Sequence, residues 1–218
     1  MGESLDGKCN VYKSKTITRK KMNEIYDTIA GVTIYQAYDG SYFWVSGMEV
    51  DADGSPNCYN PENTGLDYLA NAKDEHGKWV GIVTDKNGYP VINSATGNYI
   101  STTSLQISGY RVEDQIRYIN SETVAYIVIP LGLAEKIKGI CLGCKCLVTN
   151  SLHNITVTAV CADIGGSSSI GEGSIYLAKQ LGINSNPKNG GTSMSIIKFQ
   201  IFPNTPANGF HLQPLHKT

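Results

Sequence analysis

The sequence predicts a mainly β protein that forms a closed or nearly closed β-barrel with a few short helices. Short runs of β-branched and aromatic residues recur along the chain, and turn signals such as Asn87-Gly88 separate them. Few stretches show helical periodicity. Many short strands with few helices are typical of a barrel, because closing a sheet on itself removes its exposed edges.

The strands are predicted from runs bounded by turn residues. Asp85-Lys-Asn-Gly88 predicts a tight hairpin, because Asn-Gly supplies the positive φ that such a turn needs. Strands are expected at 32–37, 42–50, 79–84, 89–92, 98–106, 123–129, 144–149, 155–162 and 194–202.

Three helices are predicted. Hydrophobic residues at helical spacing between Thr18 and Gly31 predict an amphipathic helix over 18–30. A short helix is expected at 65–72. A third is expected over 174–182, with Ser174 or Gly173 as its N-cap and Gly182 as its stop.

The chain has 218 residues and a mass of 23.6 kDa, which suits one domain with a sizeable core. We therefore expect a single domain over 1–218. Its parts are an N-terminal extension with a helix at 1–31, a barrel at 32–203, and a partly loose C-terminal tail at 204–218 that is rich in proline and polar residues.

The charge balance argues against nucleic-acid and membrane partners. The formal net charge is −1, and the longest basic run is Arg19-Lys-Lys21. No apolar stretch has the length needed to cross a bilayer. The first residues lack the basic and then apolar pattern of a secretion signal, so either the protein is not secreted by that route or the chain begins after its signal.

The six cysteines leave several interpretations open: free thiols, up to three disulfides, or a zinc site at Cys141, Cys144 and Cys146 with His153. Zinc is the least favoured of these, because no second cysteine pair follows at the usual spacing. The segment Asp51-Ala-Asp53-Gly54 is a poor calcium loop, because its glycine comes two places early. We therefore predict no metal.

Two carboxylates, Asp163 and Glu172, flank a loop rich in glycine and serine. The loop follows a predicted strand and precedes the predicted helix at 174–182, so both acids are expected at element ends. Paired carboxylates can act as general acid and general base in bond cleavage. A solvated surface loop that happens to carry two acids is the alternative.

The segments Asp163-Ile-Gly165 and Gly171-Glu172-Gly-Ser-Ile-Tyr-Leu-Ala178 resemble the catalytic region of glycoside hydrolase family 75, the fungal-type chitosanases. Further segments resemble the same family, in the same order, over roughly residues 42–203: Met48–Pro56, Gly65–Ala72, Trp79–Asp85, Tyr99–Ser104 and Tyr126–Pro130. The resemblance implies a double-psi type of barrel and an endo-acting, inverting hydrolase of β-1,4 bonds in chitosan. It implies Asp163 and Glu172 as catalytic residues and no cofactor.

The residues leave the two catalytic roles open, with a slight preference. The weaker acidity and greater reach of Glu favour Glu172 as the acid and Asp163 as the base. The helix that begins beside Glu172 favours its ionised form, which suits a base instead. A strand-end Asp163 buried under aromatic residues would have a raised pKa, as an acid needs.

Chitosan is cationic, so the resemblance implies a cleft with carboxylates for ammonium groups and aromatic faces for sugar rings. The predicted substrate-binding residues are Asp51, Asp53, Asp67, Trp79, Tyr99 and Tyr126. The alternative for each aromatic residue is a place in the core, where such residues in alternating strands more often lie. The expected partner is a polysaccharide, and we expect an extracellular monomer.

Two alternatives to a chitosanase remain. The cysteine-rich segment at 141–146 and the predicted N-terminal helix depart from the family pattern, and they leave open a different amino-sugar polymer such as peptidoglycan. A non-catalytic carbohydrate-binding module would keep the cleft without turnover, although it has no evident need for two acids. A plain structural domain is the least favoured interpretation.

Overall fold

The structure is a computed structural model that describes residues 23–166 and 169–215. It is mainly β, with eight strands in one sheet and two short α-helices. The strands are β1 (Glu24–Ile29), β2 (Val32–Gln36), β3 (Tyr42–Asp51), β4 (Tyr126–Pro130), β5 (Cys144–Asn150), β6 (Ile155–Gly165), β7 (Glu172–Ser174) and β8 (Thr192–Pro206). The helices are α1 (Leu131–Lys136) and α2 (Ile175–Gln180).

Six of the strands close into a barrel. Their order is β3-β7-β4-β6-β5-β8, and β8 pairs again with β3 to complete the ring. The pairs β3–β7 and β4–β6 are parallel, whereas the other four pairs are antiparallel. This architecture confirms the predicted mainly β barrel with few helices, while the double-psi form stays a prediction.

Alternating side chains fill the barrel. In β3, every second residue from Tyr42 to Val50 is buried, as the two-residue period of a strand requires. Trp44 pairs with Phe199 of β8 across the sheet, and their rings stack with centroids 5.4 Å apart. Both side chains have no exposed surface, so this pair forms the middle of the core.

The segment 52–125 connects β3 to β4 and contains no extended strand. It holds two 3₁₀ turns, at Leu69–Ala72 and Gln115–Arg117, and several isolated bridges. The first turn lies within the helix predicted at 65–72. The hairpin predicted at Asp85–Gly88 is present, because the Asp85 amide donates to the Tyr89 carbonyl and the Gly88 amide to the Asp85 carbonyl.

The strands predicted at 79–84, 89–92 and 98–106 are reduced to isolated bridges, such as Thr84 with Pro90 and Ile82 with Ser101. The segment packs on the barrel instead of extending the sheet. The Leu105 amide donates to the Ala162 carbonyl on β6. Single backbone hydrogen bonds to the barrel and isolated bridges within the segment thus replace a regular ladder.

The predicted helix after the acidic loop is confirmed as α2. The Leu177 amide donates to the Ser174 hydroxyl at 3.1 Å, so Ser174 is the N-cap. Gly182 follows the helix with a φ of +71°, the left-handed conformation that ends helices. No helix in residues 23–166 and 169–215 is long and apolar enough to cross a membrane.

The helix predicted over 18–30 is wrong where the structure describes it. Glu24–Ile29 is a strand that pairs antiparallel with β2. The two residues between the strands, Ala30 and Gly31, have φ of 48° and 77° and form the tight turn of a hairpin. The hydrogen bonds to β2 stabilise the extended form of this segment despite its helical spacing of hydrophobic residues. Residues 18–22 of the predicted helix lie outside the described part.

The C-terminal segment is more ordered than predicted. Asn204–Pro206 belong to β8. Farther on, the Gln213 amide donates to the Leu142 carbonyl, and its side-chain amide donates to the Gln106 carbonyl. Residues 204–215 therefore pack against the barrel, and residues 216–218 lie outside the described part.

Candidate active site

The two predicted catalytic acids lie at one level of the barrel wall. Asp163 on β6 and Glu172 on β7 both pair with Val128 of β4, the strand between them. Neighbouring strands are separated by about 4.8 Å, so the two backbones are about 9.5 Å apart.

The two acid side chains also share one face of the sheet. A Cβ atom on Gly165 would lie 3.1 Å from Cγ1 of Val128 and 3.6 Å from Oε2 of Glu172. Gly165 comes two residues after Asp163, so these positions face the same side of β6. The side chains of Asp163 and Glu172 therefore lie on one face of the barrel wall, and Asp163 but not Glu172 is among the residues that line the neighbouring cleft.

Asp163 is held by three hydrogen-bond donors. Its Oδ1 accepts hydrogen bonds from the Ser104 hydroxyl at 2.6 Å, from the Ser104 amide at 3.1 Å and from the Ile164 amide at 2.8 Å. The side chain is 9% exposed, and burial raises its pKa. The three donors oppose that rise because they stabilise the carboxylate.

Glu172 has a contrasting environment. It is half-buried, and no donor from the described residues reaches its carboxyl group. Burial first, and then the charges of Asp51 and Asp163, place the pKa of Glu172 well above its ordinary value. The structure therefore stabilises the charged form of Asp163 more than the charged form of Glu172.

A cleft of about 510 Å³ opens beside Asp163 and has Asp53 in its lining. The Ser101 hydroxyl lies 3.2 Å from Oδ1 of Asp53. Burial and the charges of Asp51 and Asp163 place the pKa of Asp53 well above its ordinary value. Thr102, Thr103 and Ser104 add hydroxyl-bearing residues to the same lining.

Asp51 and Tyr126 bond to each other beneath this surface. The Tyr126 hydroxyl lies 2.9 Å from Oδ2 of Asp51. Tyr126 has no exposed surface, so the prediction that its ring contacts a sugar is wrong for this structure. Burial and then the charge of Asp163 raise the pKa of Asp51 to about 7.

Asp67 is buried and bound by its own segment. Both of its carboxylate oxygens accept from the Asn71 side-chain amide at 3.0 Å, and Oδ1 also accepts from the Tyr68 amide. Its charge nevertheless contributes to the raised pKa values of Asp51 and Glu172. Asp67 therefore shares the electrostatic environment of the cluster, and its substrate contact stays a prediction.

Trp79 and Tyr99 lie next to each other, with ring centroids 6.1 Å apart. Both are half-buried, so each keeps some surface for a ligand. The Lys73 ammonium lies 4.1 Å from the centroid of the Trp79 ring. The Trp79 ring therefore already makes a cation–π contact within this chain, and the substrate contacts of Trp79 and Tyr99 stay predictions.

The four acids Asp51, Asp53, Asp163 and Glu172, here called the carboxylate cluster, have no cationic partner within the described residues. The three salt bridges of the described chain all lie elsewhere, and one of them joins Lys136 to Asp27. Close carboxylates raise one another's pKa, as seen for Asp51, Asp53 and Glu172. A cation entering the cleft would meet uncompensated negative charge.

Cys58 lies beside the acids, with its Sγ 3.7 Å from Oδ1 of Asp53, whereas the cysteines at 141, 144, 146 and 161 form a second group. Cys58, Cys141, Cys144, Cys146 and Cys161 are free thiols, and Cys9 lies outside the described residues. Sγ of Cys141 and Cys144 are 3.7 Å apart. His153 lies beyond the opposite end of β5, about 13 Å of strand past Cys146. Within the described chain, no three His, Cys, Asp or Glu residues are arranged to hold a metal ion.

Sequence reasoning missed the residues that support the acids. Ser104 and Ser101 belong to the run Ser101-Thr-Thr-Ser104, which carried part of the family resemblance but received no role. The structure places one serine on Asp163 and the other on Asp53. The richness in hydroxyl groups was the available signal, but nothing in the sequence showed which acids it would reach.

No family model matches the chain, and no curated protein matches it. The resemblance to glycoside hydrolase family 75 therefore stays a prediction carried by the ordered segments. The barrel and the geometry of the acid pair do not depend on this resemblance, because both are observed in the structure.

Proposed function

We propose that this protein is an endo-acting glycoside hydrolase that cleaves β-1,4 linkages in chitosan by an inverting mechanism with two carboxylates. The observation that carries the proposal is the contrast between Asp163 and Glu172, which share one face of the barrel. Asp163 accepts three hydrogen bonds, whereas no described donor reaches Glu172. One acid is thus prepared to be ionised and the other to hold a proton.

In this mechanism Glu172 protonates the departing glycosidic oxygen, and Asp163 activates a water on the opposite sugar face. Inversion needs roughly 6.5–9.5 Å between the carboxyl groups, which leaves room for that water. Backbones about 9.5 Å apart are compatible with this gap. No cofactor takes part, because both proton transfers use side chains of the chain itself.

The chemistry of the cleft supports a cationic polysaccharide as substrate and partner. Asp53 and Asp163 line the cleft without a cationic partner among the described residues. A glucosamine ammonium would supply the missing charge and lower the pKa of each acid it approaches. The extracellular location and the monomeric state belong to the same proposal.

The test is the release of new reducing ends from chitosan and, separately, from peptidoglycan. The proteins compared are the wild type, Asp163→Asn, Glu172→Gln and the matched control Asp85→Asn, an exposed turn residue. We expect the wild type and the control to cleave chitosan. Both catalytic variants should fold and lose about 10²- to 10⁴-fold in rate, the usual contribution of a general acid or base.

Each other outcome assigns a different function. Cleavage of peptidoglycan but not of chitosan would keep the mechanism and replace the substrate. Binding of chitosan oligosaccharides without cleavage would replace the hydrolase with a carbohydrate-binding module. Neither binding nor cleavage of either polymer would leave a structural domain.

A further inference from the structure

The Tyr126 hydroxyl has one hydrogen and two acceptors. It lies 2.9 Å from Oδ2 of Asp51 and 2.9 Å from the carbonyl oxygen of Asp53. A hydroxyl donates a single hydrogen, so it can satisfy only one of these oxygens. If Asp51 were ionised, either its Oδ2 or the Asp53 carbonyl would lack that hydrogen.

A proton on Asp51 resolves this shortage. The Asp51 carboxylic acid then donates from Oδ2 to the Tyr126 oxygen, and Tyr126 donates to the Asp53 carbonyl. Oδ1 of Asp51 still accepts from the Asp53 amide at 2.8 Å. Every polar atom of this buried chain then has a partner, as buried groups require.

We propose that Asp51 is a proton-holding positioning residue that donates to Tyr126 beneath the catalytic pair, and that it does not bind substrate as a carboxylate. Its role for Asp163 and Glu172 rests on the proposed function, whereas its protonation does not. The proton on Asp51 comes from solvent, and no other reactant is needed.

The neighbours of Asp51 also favour its neutral form. The groups that face it come from every element around it: Tyr126 on β4, Asp163 on β6, Glu172 on β7, and Asp53, Cys58 and Asp67 from the segment 52–125. None of them is a cation. A charge on Asp51 would therefore be repelled by the carboxylates around it, at a site that is 9% exposed.

A neutral Asp51 keeps one negative charge away from the catalytic pair at acidic to neutral pH. Above about pH 7 the group ionises, because that is where burial and Asp163 place its pKa. The new charge raises the pKa of Glu172, so Glu172 keeps its proton to higher pH. Asp51 would thus extend activity on the alkaline side.

The first test is the pH dependence of unfolding for the wild type and Asp51→Asn. Asparagine keeps the shape and donates to Tyr126 but does not titrate. The pKa of Asp51 is raised in the folded state. Its contribution to the free energy of unfolding is therefore fully present below the unfolded-state pKa near 4, and it is lost as the pH rises toward 7. The unfolding equilibrium constant of the wild type, relative to Asp51→Asn, should rise up to about tenfold per pH unit over that window.

The matched control is Asp85→Asn. Asp85 has a lowered pKa, chiefly because the Tyr89 amide donates to it. Its contribution to the free energy of unfolding is lost only as pH falls, so the ratio of the unfolding constants of the wild type and this control should be flat above about pH 5. A flat or falling ratio for Asp51→Asn over pH 4–7 would overturn the proposal.

If Asp51→Asn does not fold, infrared spectra of the wild type and Tyr126→Phe provide the test. A protonated carboxyl band of the wild type that shifts in Tyr126→Phe supports the proposal, because the Asp51 carboxylic acid would lose its hydrogen-bond acceptor, whereas a band present only in the variant would mean that Asp51 is ionised in the wild type. Identical carboxyl bands in the two proteins would overturn it.

The role in the reaction has its own readout in the pH profile of chitosan cleavage. Asp51→Asn should lose activity on the alkaline limb and keep the position of the acid limb. A rise in KM at every pH, with both limbs in place, would make Asp51 a substrate-binding carboxylate and overturn the positioning role. If the wild type cleaves no polymer, the proposed function fails, while the unfolding measurement still decides whether Asp51 holds a proton.

Discussion

Two clusters of ionisable side chains of one kind lie on the same barrel, and burial is costly for one of them and not for the other. One is the carboxylate cluster, and the other is a thiol cluster of Cys141, Cys144, Cys146 and Cys161. Burial raises the pKa in both, for example for Glu172 and for Cys146. A thiol is already mostly neutral at pH 7, so burial leaves it as a small apolar side chain.

A carboxyl group is ordinarily charged at pH 7, so the same burial costs free energy. The protein keeps four such groups together and supplies hydrogen bonds selectively, to Asp163 above all. Costly and unequal environments of this kind are typical of functional sites. A cluster of reactive residues is therefore not by itself evidence of a catalytic site. The ordinary pKa of the residue type decides whether burying the cluster is costly, and only a costly cluster indicates a functional site.

The largest effect that we expect concerns the backbone behind the thiol cluster. Gly143 has a φ of +84°, its amide donates to the Cys161 carbonyl, and a Cβ there would lie 2.2 Å from the His211 carbonyl oxygen. Gly143→Ala should reduce the free energy of unfolding by about 3 kcal/mol, through the left-handed conformation and overpacking together. Urea unfolding measures it.

The control is Gly88→Ala, which has the same φ of +84° but no atom within 4 Å of its added Cβ. It should cost only about 1 kcal/mol, because conformation is then the whole effect. Equal losses in the two variants would show that the close approach to His211 is not what shapes this region.

The next effect concerns the donors that distinguish Asp163 from Glu172. Ser104→Ala removes the 2.6 Å hydrogen bond and should raise the pKa of Asp163, because a donor stabilises the carboxylate. A hydrogen bond to a charged group contributes about 1.5–3 kcal/mol, so activity on the acid side should fall roughly 10- to 100-fold. The acid limb of the pH profile should move to higher pH.

Ser104→Thr keeps the hydroxyl and should restore most of the activity, while Ser108→Ala changes an exposed serine of the same segment and should have no effect. An unshifted acid limb in Ser104→Ala, despite lower activity, would mean that Ser104 supports the loop without tuning Asp163.

The smallest effect concerns reactivity within the thiol cluster. Cys141 is half-buried, whereas Cys144, Cys146 and Cys161 are buried. Burial raises the pKa of Cys141 to about 11, so its thiolate fraction at pH 8 is low, yet it remains the accessible thiol of the four. In a Cys9→Ser background, a charged thiol reagent should modify Cys141 at least about tenfold faster than the other three.

Peptide mapping by mass spectrometry identifies the modified residue, and unfolded protein provides the control, because there all thiols should react alike. Modification of Cys146 or Cys161 as fast as Cys141 would contradict the buried, neutral thiol cluster.

Much of the barrel was predictable because its strands carry their own signals. The β-branched runs of β5 and β6 and the capped start of α2 were found from local pattern. The strand β7 has only three residues, Glu172–Ser174, and exists because β3 and β4 pair with it on both sides. The local pattern over β1 predicts a helix, and only the pairing with its hairpin partner makes this segment extended.

The candidate site divides in the same way. Asp163 and Glu172 were predicted as a pair from the residues and the family resemblance, and the structure places them on one face of the barrel wall. Tyr126 was predicted as a sugar platform, because an aromatic residue in a strand has no mark that separates surface from interior. Its bond to Asp51 spans 75 positions and depends on the fold.

The sequence by itself determined the fold class, the capped helix after the acidic loop and the candidate acid pair. Hydrophobic alternation, turn residues and capping act between near neighbours and can be read locally. Only the tertiary structure decided which acid is hydrogen-bonded, which aromatic residues are buried and which carboxylates repel one another. Those properties depend on burial and on distances between groups remote in the chain, and pKa values follow them.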